Sequence, residues 1–409
     1  MKSKTNLSFL VMFVLGAFAC SNSSPQGDGS VVEIMVGGKK VSVLLLNKVK
    51  SGTATIPLSS LLEDFEIVQL EMHEDAVFNP VSHFLVTEKY LGVRTYDDNY
   101  KLFDRTGKFL CTVGRRGRGP GEYPNSISDD IIDEKNGLIY LSCFSGKILV
   151  YSISGGFLKE FIAPQLMYNS KMFMSDGILS VVHAPKILVL PNRTIHQADV
   201  MIVKYDANKG ELMEKIAPPF EHLISRTNGE NIFSLQNVQG VFDFFPDYFQ
   251  QEQYDTLYHI DLKMNRLFPF FTVEYNFIKA RDKPIIFQLN KNLMMTILKE
   301  TTPAGYYVER DVIATDLRNK TSSRVKVIND YLGNMDVSNA IQRSFRKGYL
   351  VRCIQPEDLM EDIEKRLTES NCTENDRKIL QKTLSTLKEN ENNVVFIGKL
   401  KSEVKSKLW

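Results

Sequence analysis

A twelve-residue pattern occurs twice in this chain, at positions 48 residues apart. It reads Leu-Phe-Asp-Arg-Thr-Gly-Lys-Phe-Leu-Cys-Thr-Val at 102–113 and Val-Tyr-Ser-Ile-Ser-Gly-Gly-Phe-Leu-Lys-Glu-Phe at 150–161. An alternating strand, a turn containing Gly and a return strand predict an antiparallel β-hairpin for each copy. Weaker copies occur at 203–213, 257–268 and 314–327. Units that recur in this way must stack on one another to bury their apolar faces.

Two further strand-like runs come before each hairpin: 82–86 and 90–95 before the first, 129–133 and 138–142 before the second. Four short strands in a period of about 50 residues are typical of a β-propeller blade. Five hairpins can be counted, and the two ends of the chain are available to complete a sixth blade. We therefore predict an all-β fold, a six-bladed β-propeller, with residues 31–409 as a single propeller domain.

The last strand-like run of the chain, 394–400, predicts how the ring closes. A propeller usually pairs such a C-terminal strand with a strand from the other end of the chain, and this pairing removes exposed strand edges. Three N-terminal segments are candidates for the partner: 34–36, 41–46 and 65–70.

One segment, at about 356–390, does not follow the strand pattern. Pro and two acidic residues at 356–358 are typical of a first helical turn, and apolar residues continue at helical spacing to 367. Thr373 with Asp376 resembles the capping box of a second helix. We predict a short α-helical insert before the C-terminal strand. Its apolar stripe is expected to pack against the propeller, and binding of a partner protein is the alternative.

The N-terminus has the layout of a secretory signal peptide over residues 1–19. Two lysines are followed by an apolar run at 7–18 that is too short for a comfortable membrane span. Cys20 comes next, and residues 20–30 form a polar tether. We predict that Cys20 carries the lipid that anchors the mature protein to a membrane. Ordinary signal peptidase cleavage is the alternative, because Ala-Phe-Ala at 17–19 fits its A-x-A preference.

These features predict an exported protein of the cell envelope, held by its lipid on the periplasmic or surface face of a membrane. The rest of the sequence has no apolar run of transmembrane length. The chain has 50 basic and 49 acidic residues, a net charge of +1. This balance argues against a nucleic-acid partner. The predicted partners are therefore the membrane, through the lipid, and an extracytoplasmic protein or glycan.

Cysteine and histidine spacing predicts neither a metal site nor a cofactor. Cys111, Cys143, Cys353 and Cys372 lack zinc-site spacing, and the six histidines form no H-x-H or H-E-x-x-H motif. A helix between Cys353 and Cys372 would advance about 20 Å. A disulfide between these two cysteines is therefore not expected.

The first hairpin runs directly into Gly-Arg-Arg-Gly-Arg-Gly-Pro-Gly-Glu-Tyr at 114–123. This arrangement resembles the six-bladed β-propeller lipoproteins of the NHL-repeat type, in which the hairpin leads into G-x-G-P-G-E-aromatic. The segments at 65–71 and 255–260 and the helical insert are also similar to that family. The resemblance extends over about residues 56–401 and is strongest in the first two blades. It implies a propeller fold and export, and it implies no reaction.

The Gly-Arg loop at 114–123 is the candidate ligand-binding segment. Its glycines permit positive φ and close approach of the backbone, so exposed amides beside Arg115, Arg116 and Arg118 could hold an anion or an anionic glycan. The alternative is a connection between blades that is shaped by Gly and Pro, with Glu122 tying it to the next blade. The candidate residues are Arg115, Arg116, Arg118, Glu122 and Tyr123.

No catalytic motif accompanies the repeats, so we assign no catalytic residue. Acidic residues cluster at 97–98, at 129–130 and around 243–247. Glycoside hydrolysis needs two carboxylates that face each other across a cleft, and distance along a propeller sequence does not exclude such a pair. We predict a non-catalytic binding or scaffold protein for an extracytoplasmic protein, peptide or glycan. The alternatives are a propeller hydrolase or lyase acting on polysaccharide and a structural part of an envelope complex.

Overall fold

The structure is a computed structural model that describes residues 27–404, with internal gaps. The residues outside the described part are 1–26, 81, 96–97, 124–125, 165–168, 191–192, 198, 220–229, 249–255, 275–281, 303–306, 339–340 and 405–409. The predicted signal peptide and Cys20 lie outside the described residues. Within the part that is described, no helix has the length and apolar character needed to cross a membrane.

The described residues form six four-stranded antiparallel blades around a central axis. Blades 1 to 3 are built from strands that follow one another along the chain. Blade 1 contains His83–Val86, Tyr90–Arg94, Tyr100–Asp104 and Phe109–Val113. Blade 2 contains Ile127–Asp133, Leu138–Cys143, Lys147–Ser152 and Phe157–Ile162. Blade 3 contains Lys171–Ser175, Ile178–Val182, Ile202–Asp206 and Leu212–Ile216.

Blades 4 and 5 have the same internal order, and blade 6 combines the two ends of the chain. Blade 4 contains Glu230–Phe233, Phe242–Tyr248, Thr256–Asp261 and Arg266–Val273. Blade 5 contains Asp282–Gln288, Leu293–Thr301, Tyr307–Asp316 and Thr321–Asn329. Blade 6 contains Phe345–Arg346, Tyr349–Ile354, Val394–Lys399 and Glu66–Gln69. The predicted six-bladed propeller is confirmed.

Several elements are added to this frame. A hairpin is inserted between the second and third strands of blade 3, and an N-terminal hairpin pairs with blade 4 through its second strand. The added strands are Val31–Val36, Lys39–Leu44, Lys50–Pro57, Arg115–Arg116, Glu122–Tyr123, Lys186–Leu190, Arg193–Gln197 and Met335–Asp336. The helices are Leu46–Lys48 (3-10), Leu58–Leu61, Ile341–Ser344, Pro356–Thr368 and Glu374–Leu384.

Blade 6 closes the ring. Its third strand, Val394–Lys399, pairs antiparallel with Glu66–Gln69, which becomes the outer strand of the blade. The closing partner is therefore the last of the three candidate segments, 65–70. The other N-terminal strands lie elsewhere: Lys39–Leu44 pairs in parallel with the outer strand of blade 4, and Lys50–Pro57 with that of blade 5.

The hydrophobic core lies between neighbouring blades. Leu102 of blade 1 and Leu141 of blade 2 belong to one buried cluster, and Val150 of blade 2 and Val181 of blade 3 belong to the next. Each blade therefore buries both of its faces against its neighbours.

The helical insert lies between the second and third strands of blade 6, as predicted. Thr373 Oγ1 accepts a hydrogen bond from Asp376 N at 3.1 Å, and Asp376 Oδ2 accepts one from Thr373 N at 3.0 Å. These two bonds form the capping box that the sequence indicates. Leu359 and Ile363 of the first helix and Leu380 of the second are buried in a cluster with strand residues of blade 6. The apolar stripe of the insert thus packs on the propeller.

The four described cysteines form no disulfide with one another. Cys143 and Cys372 are buried, and Cys111 and Cys353 are half-buried. Burial raises the pKa of the Cys143 thiol to about 12. The Cys143 thiol therefore behaves as a small core side chain, because a thiol with a raised pKa is seldom the reactive thiolate.

Candidate functional site

The Gly-Arg loop is a short connection between blades 1 and 2. Its two strands, Arg115–Arg116 and Glu122–Tyr123, run parallel to each other. The Glu122 carboxylate accepts hydrogen bonds from Gly119 N and from Arg115 Nε, both at 2.8 Å. These bonds, with Gly119 first, lower the pKa of Glu122. Glu122 therefore closes the loop on itself, and the contact with the next blade is made by other residues.

Tyr123 belongs to the core between blades 1 and 2. Its hydroxyl accepts a hydrogen bond from Tyr100 N at 2.9 Å and donates one to Val113 O at 3.3 Å. From blade 2, the Tyr151 hydroxyl donates to Gly121 O at 2.9 Å. The loop thus joins the two blades. The remaining candidates are exposed surface side chains, and binding of an anion by them stays a prediction: Arg115, Arg116 and Arg118.

A larger group of charged side chains gathers where the inner strands meet. We call it the axial cluster, and its members are His83, Arg94, Tyr100, Asp129, Asp130, Lys171, Arg346 and Lys347. Asp129 and Asp130 lie on the inner strand of blade 2 and are almost completely buried. Arg346 Nη2, from blade 6, donates to Asp129 Oδ1 at 2.6 Å and to Asp130 Oδ1 at 2.8 Å. One guanidinium is therefore shared by two adjacent carboxylates.

Arg346 reaches these carboxylates because the first hairpin of blade 6, residues 345–349, extends across the axis. We call it the axial hairpin. On one side, Arg346 Nη1 donates to Phe84 O of blade 1 at 3.1 Å. On the other side, Lys347 N donates to Leu235 O at 2.7 Å and Gly348 N donates to Asn237 Oδ1 at 3.2 Å, both in blade 4. A segment that contacts blades 1, 2 and 4 at once must occupy the centre of the ring.

The two carboxylates are held on their other oxygens as well. Asp129 Oδ2 accepts a hydrogen bond from Met172 N of blade 3 at 2.6 Å. Asp130 Oδ2 accepts one from the Tyr100 hydroxyl of blade 1 at 2.9 Å. Burial is the largest single influence and alone would raise the pKa of Asp129 and of Asp130, but Arg346 and the other cations of the cluster together outweigh it, and both pKa values lie below the ordinary range. Both side chains are therefore ionised over the whole physiological pH range.

Tyr100 can reach Asp130 because the residue beside it is a glycine. A Cβ on Gly92, in the neighbouring strand of blade 1, would collide with the Tyr100 hydroxyl. Burial first and the Asp130 carboxylate second raise the pKa of Tyr100 well above its usual value. Tyr100 is therefore a fixed hydrogen-bond donor to Asp130, and it is unsuited to act as a base.

Positive charge exceeds negative charge in the axial cluster. Arg94 lies directly across the strand pair from His83 and is buried, and its Nε and Nη1 have no hydrogen-bond partner among the described residues. The nearest carboxylate oxygen, Asp130 Oδ1, is 4.0 Å from Nη1. Arg94 first and burial second lower the pKa of His83 to about 3, although His83 is exposed to solvent. An exposed imidazole with such a pKa stands in a strongly positive environment.

Two lysines add to this charge. Lys347 Nζ donates to the backbone oxygen of Asp130 at 2.9 Å, whereas the Lys171 ammonium has no hydrogen bond or ion pair within the described part of the chain. Burial lowers the pKa of each lysine to about 8, and Asp129 opposes that shift. Four cationic side chains thus surround two carboxylates, and His83, Lys171 and Lys347 reach solvent on one side of the cluster.

The chemistry available to the axial cluster follows from this geometry. Perturbed pKa values near an axis are a general sign of a functional site. A glycosidase, however, needs one carboxyl group that stays protonated and a second one across a cleft. Asp129 and Asp130 are adjacent, ionised and shared by one arginine. The axial cluster therefore holds ionised side chains, and its positive charges outnumber its negative charges.

Sequence reasoning missed most of the axial cluster. The pair at 129–130 was noted only as one of several acidic groups, and the cationic residues were not noted. A usable signal was present, because His83, Lys171 and Arg346 occupy the inner strands of their blades. The contacts themselves depend on the ring, since Asp130 and Arg346 are 216 residues apart in sequence.

The fold and the axial cluster define this protein as a six-bladed β-propeller whose axis is closed by a charged hairpin. The family model described as a domain of unknown function (DUF4934) matches residues 41–399. The chain therefore belongs to the DUF4934 family. The resemblance to NHL-repeat lipoproteins is confirmed for the propeller fold, and its repeat type and lipid anchor stay predictions. No curated protein matches the chain by sequence.

Solved structures share the fold at low sequence identity. A Bacteroides fragilis NCTC 9343 protein described as exported is similar with a TM-score of 0.56 at 12% identity, covering 88% of this chain and 99% of that one. U3-55K has a TM-score of 0.42 at 10% identity, covering 81% of this chain and 98% of that one. The RRP9 WD40 repeats have a TM-score of 0.39 at 10% identity, with 82% and 98% covered. The first similarity supports the propeller fold, and the other two are too weak to carry an argument.

Proposed function

We propose that this protein is an exported, lipid-anchored propeller that binds an extracytoplasmic ligand without transforming it. The observation that carries the proposal is the state of the axial carboxylates. Arg346 donates hydrogen bonds to both Asp129 and Asp130, while Arg94 and Lys171 have no carboxylate closer than 4.0 Å among the described residues. A site with satisfied acids and unsatisfied cations is suited to holding a ligand.

The alternative is a hydrolase or lyase acting on polysaccharide, and the hydrolase finds little support in the same residues. Hydrolysis would need a protonated acid, and both axial carboxyl groups have lowered pKa values. A lyase would need a base close to its working pH. The pKa of Tyr100 is raised and that of His83 is about 3, so neither is tuned to this task. Lys171 and Lys347 have pKa values of about 8, and the turnover assay decides whether either acts as such a base.

The proposed tether leads into the N-terminal strands on the rim of blade 4. The strand Val31–Val36 pairs with Lys39–Leu44 on the rim of blade 4, and Leu45 N donates to Ser30 O at 2.8 Å. A tether over 20–30 extends at most about 35 Å. A lipid on Cys20 would therefore hold the rim of blades 4 and 5 towards the membrane and leave blades 1 to 3 further out.

Mass spectrometry of the mature N-terminus tests the anchor. We expect a mature chain that begins at an acylated Cys20, and a Cys20→Ser variant that is released from the membrane fraction. An unmodified Cys20 at the mature N-terminus would refute the anchor and would favour ordinary signal peptidase cleavage.

A turnover assay tests the absence of chemistry. The purified full chain is incubated with a panel of acidic and neutral polysaccharides, and new reducing ends and unsaturated sugar products are measured. We expect no product above that of a heat-inactivated sample. Product formation that is lost in an Asp130→Asn variant would overturn the binding proposal in favour of an enzyme.

A further inference from the structure

Among the described residues, the cations on the open side of the axial cluster have no carboxylate closer than the 4.0 Å that separates Arg94 Nη1 from Asp130 Oδ1. Arg94 is 4% exposed, and its Nε and Nη1 are sealed from solvent without a hydrogen bond among the described residues. A buried charge without hydrogen bonds is costly, so native structures usually supply a partner, water or ligand. His83 lies opposite Arg94 in the same blade, and Lys171 on the inner strand of blade 3 is close enough to interact electrostatically with both.

The two acids of the cluster cannot serve as this partner. Each oxygen of Asp129 and Asp130 already accepts a hydrogen bond from Arg346, Met172 N or Tyr100. The carboxylates are also fixed on the buried side, because Met172 N and Tyr100 belong to strands of blades 3 and 1. Among the described residues, no other carboxylate is placed to meet Lys171 and the Arg94 charge, so these cations are available to a negative group from outside the chain.

Resting on the proposed binding function, we infer that the side of the axial cluster formed by His83, Arg94 and Lys171 binds the oxyanion of a small acidic molecule. The size of the ligand follows from the axial hairpin, which closes the centre of the ring. A polymer cannot thread through a closed axis, whereas a single carboxylate or sulfate can contact Lys171 from the open side and lie close to the buried charge of Arg94. Lysine and arginine are the side chains that proteins use for such groups.

Proton linkage gives the site a second signature. Lys171 has a pKa of about 8 in its present surroundings, which include Asp129, Asp130, Arg94, Arg346 and, one residue along the axial hairpin, Lys347. A bound anion favours the protonated lysines, so binding takes up protons. Affinity is therefore fully present below about pH 7 and is lost as the pH rises through 8. His83, with a pKa of about 3, stays neutral over this range.

Isothermal titration calorimetry of the full chain tests the inference with galacturonate, inorganic sulfate and the neutral control galactose. We expect galacturonate or sulfate to bind, galactose not to bind, and affinity to weaken about tenfold or more in Lys171→Met. Lys135→Met is the matched control, since Lys135 is exposed in a turn of blade 2, and it should bind like the wild type. His83→Gln is a second variant at an exposed position. Stronger binding of galacturonate identifies a carboxylate ligand, and stronger binding of sulfate identifies a sulfate ester.

Three outcomes would overturn the inference. One is that neither anion binds the wild type, and another is that Lys171→Met and Lys135→Met bind alike. The third is that polygalacturonate binds while galacturonate does not, because recognition would then lie on the outer rim. None of these results tests the lipid anchor or the absence of turnover, which have their own experiments. The proposed function can therefore hold even if this anion site is refuted.

Discussion

Blades 1 to 3 and blades 4 and 5 build the same outer hairpin with different turn residues. In the first three blades, a glycine with positive φ lies against the outer strand of the preceding blade: Gly107, Gly155 and Gly210. A Cβ on Gly155, for example, would lie 2.6 Å from Thr112 O. In blades 4 and 5 the left-handed position is held by Asn265 (φ 55°) and Lys320 (φ 52°). The repeat is therefore strict only where the turn must fit under a neighbouring strand.

The two groups of blades also differ in how their outer edges are protected. The third and fourth strands of blades 1, 2 and 3 change register at the same aromatic position of the repeat: Phe103, Tyr151 and Tyr205. Such bulges twist an edge strand and hinder further pairing. The third and fourth strands of blade 5 pair without a register shift, and Lys50–Pro57 covers the outer strand instead. Blade 4 has both features, a register shift between Leu257 and Tyr258 and an outer strand covered by Lys39–Leu44. Blades 1 to 3 thus rely on local geometry alone, whereas strands from the N-terminal region cover the edges of blades 4 and 5.

The bare edges of blades 1 to 3 carry several apolar side chains on their outer strands. These exposed residues are Leu110, Phe157, Leu158, Ile162, Leu212 and Met213. The equivalent surface of blade 5 is buried, because Ile56 of the added strand lies in a core cluster with Val327. The comparison shows that the N-terminal strands are part of the propeller core, although they lie outside the repeat.

The largest effect is expected at the axis, where the axial hairpin joins the two groups of blades by unlike contacts. Towards blade 2 the link is ionic, through Arg346, and towards blade 4 it is neutral, through Asn237. Arg346→Met should lower the free energy of unfolding by about 3–5 kcal/mol, since it leaves two buried carboxylates unpaired. Asn237→Ala, the matched control, should cost about 1–2 kcal/mol. Urea denaturation measures both, and equal losses would contradict the distinction.

The loss of unfolding free energy in Arg346→Met should depend on pH. In the wild type, the pKa values of Asp129 and Asp130 are lower in the folded than in the unfolded state, so both groups stabilise the fold above the unfolded pKa of about 4. This stabilisation is lost as the pH falls through the pKa values of the folded state. Without Arg346, burial is expected to raise both pKa values above 4, so the carboxylates then destabilise the fold at neutral pH. The deficit of Arg346→Met should therefore shrink as the pH falls below about 5. A deficit that is constant from pH 7 to pH 4 would argue against ionic pairing.

The second-largest effect is expected in a comparison of two isoleucines on outermost strands. Ile56→Ala in the strand that covers blade 5 should lower the free energy of unfolding by about 2–5 kcal/mol, because this side chain is fully buried. Ile162→Ala on the bare edge of blade 2 should change it by less than about 0.5 kcal/mol, since that side chain is 69% exposed. Chemical denaturation of both variants gives the comparison. Similar losses of unfolding free energy in the two variants would contradict the assignment of the N-terminal strand to the propeller core.

The smallest effect compares two turn residues. Gly155→Ala should cost about 2 kcal/mol, because alanine is disfavoured at φ 85° and its Cβ would press on Thr112 O. Lys320→Ala should cost less than about 1 kcal/mol, because that position already accepts a side chain and loses only a surface pair with Glu33 at 3.0 Å. Thermal unfolding midpoints rank the two variants. A larger loss for Lys320→Ala would contradict the proposed reason for the strict repeat.

The elements that the sequence predicted well are those specified by local contacts. The hairpin turns need a residue in the left-handed region within a few positions of the strand, and the capping box of Thr373 and Asp376 spans three residues. Four-strand periodicity, blade count and the helical insert follow from such short-range patterns. The Gly-Arg loop was also noticed for its local composition, and it proved to be a connection between two blades.

Only the tertiary structure decided which N-terminal segment closes the ring and which charges meet at the axis. Three segments had equivalent strand patterns, and the choice of 65–70 depends on pairing with a strand over 300 residues later. Asp129, Asp130 and Arg346 are ordinary strand residues in sequence, and they become a site because ring closure brings blade 6 back to blades 1 and 2. Backbone preference acts over a few residues and is written in the sequence, whereas the electrostatic environment of a buried charge exists only once distant strands have packed together.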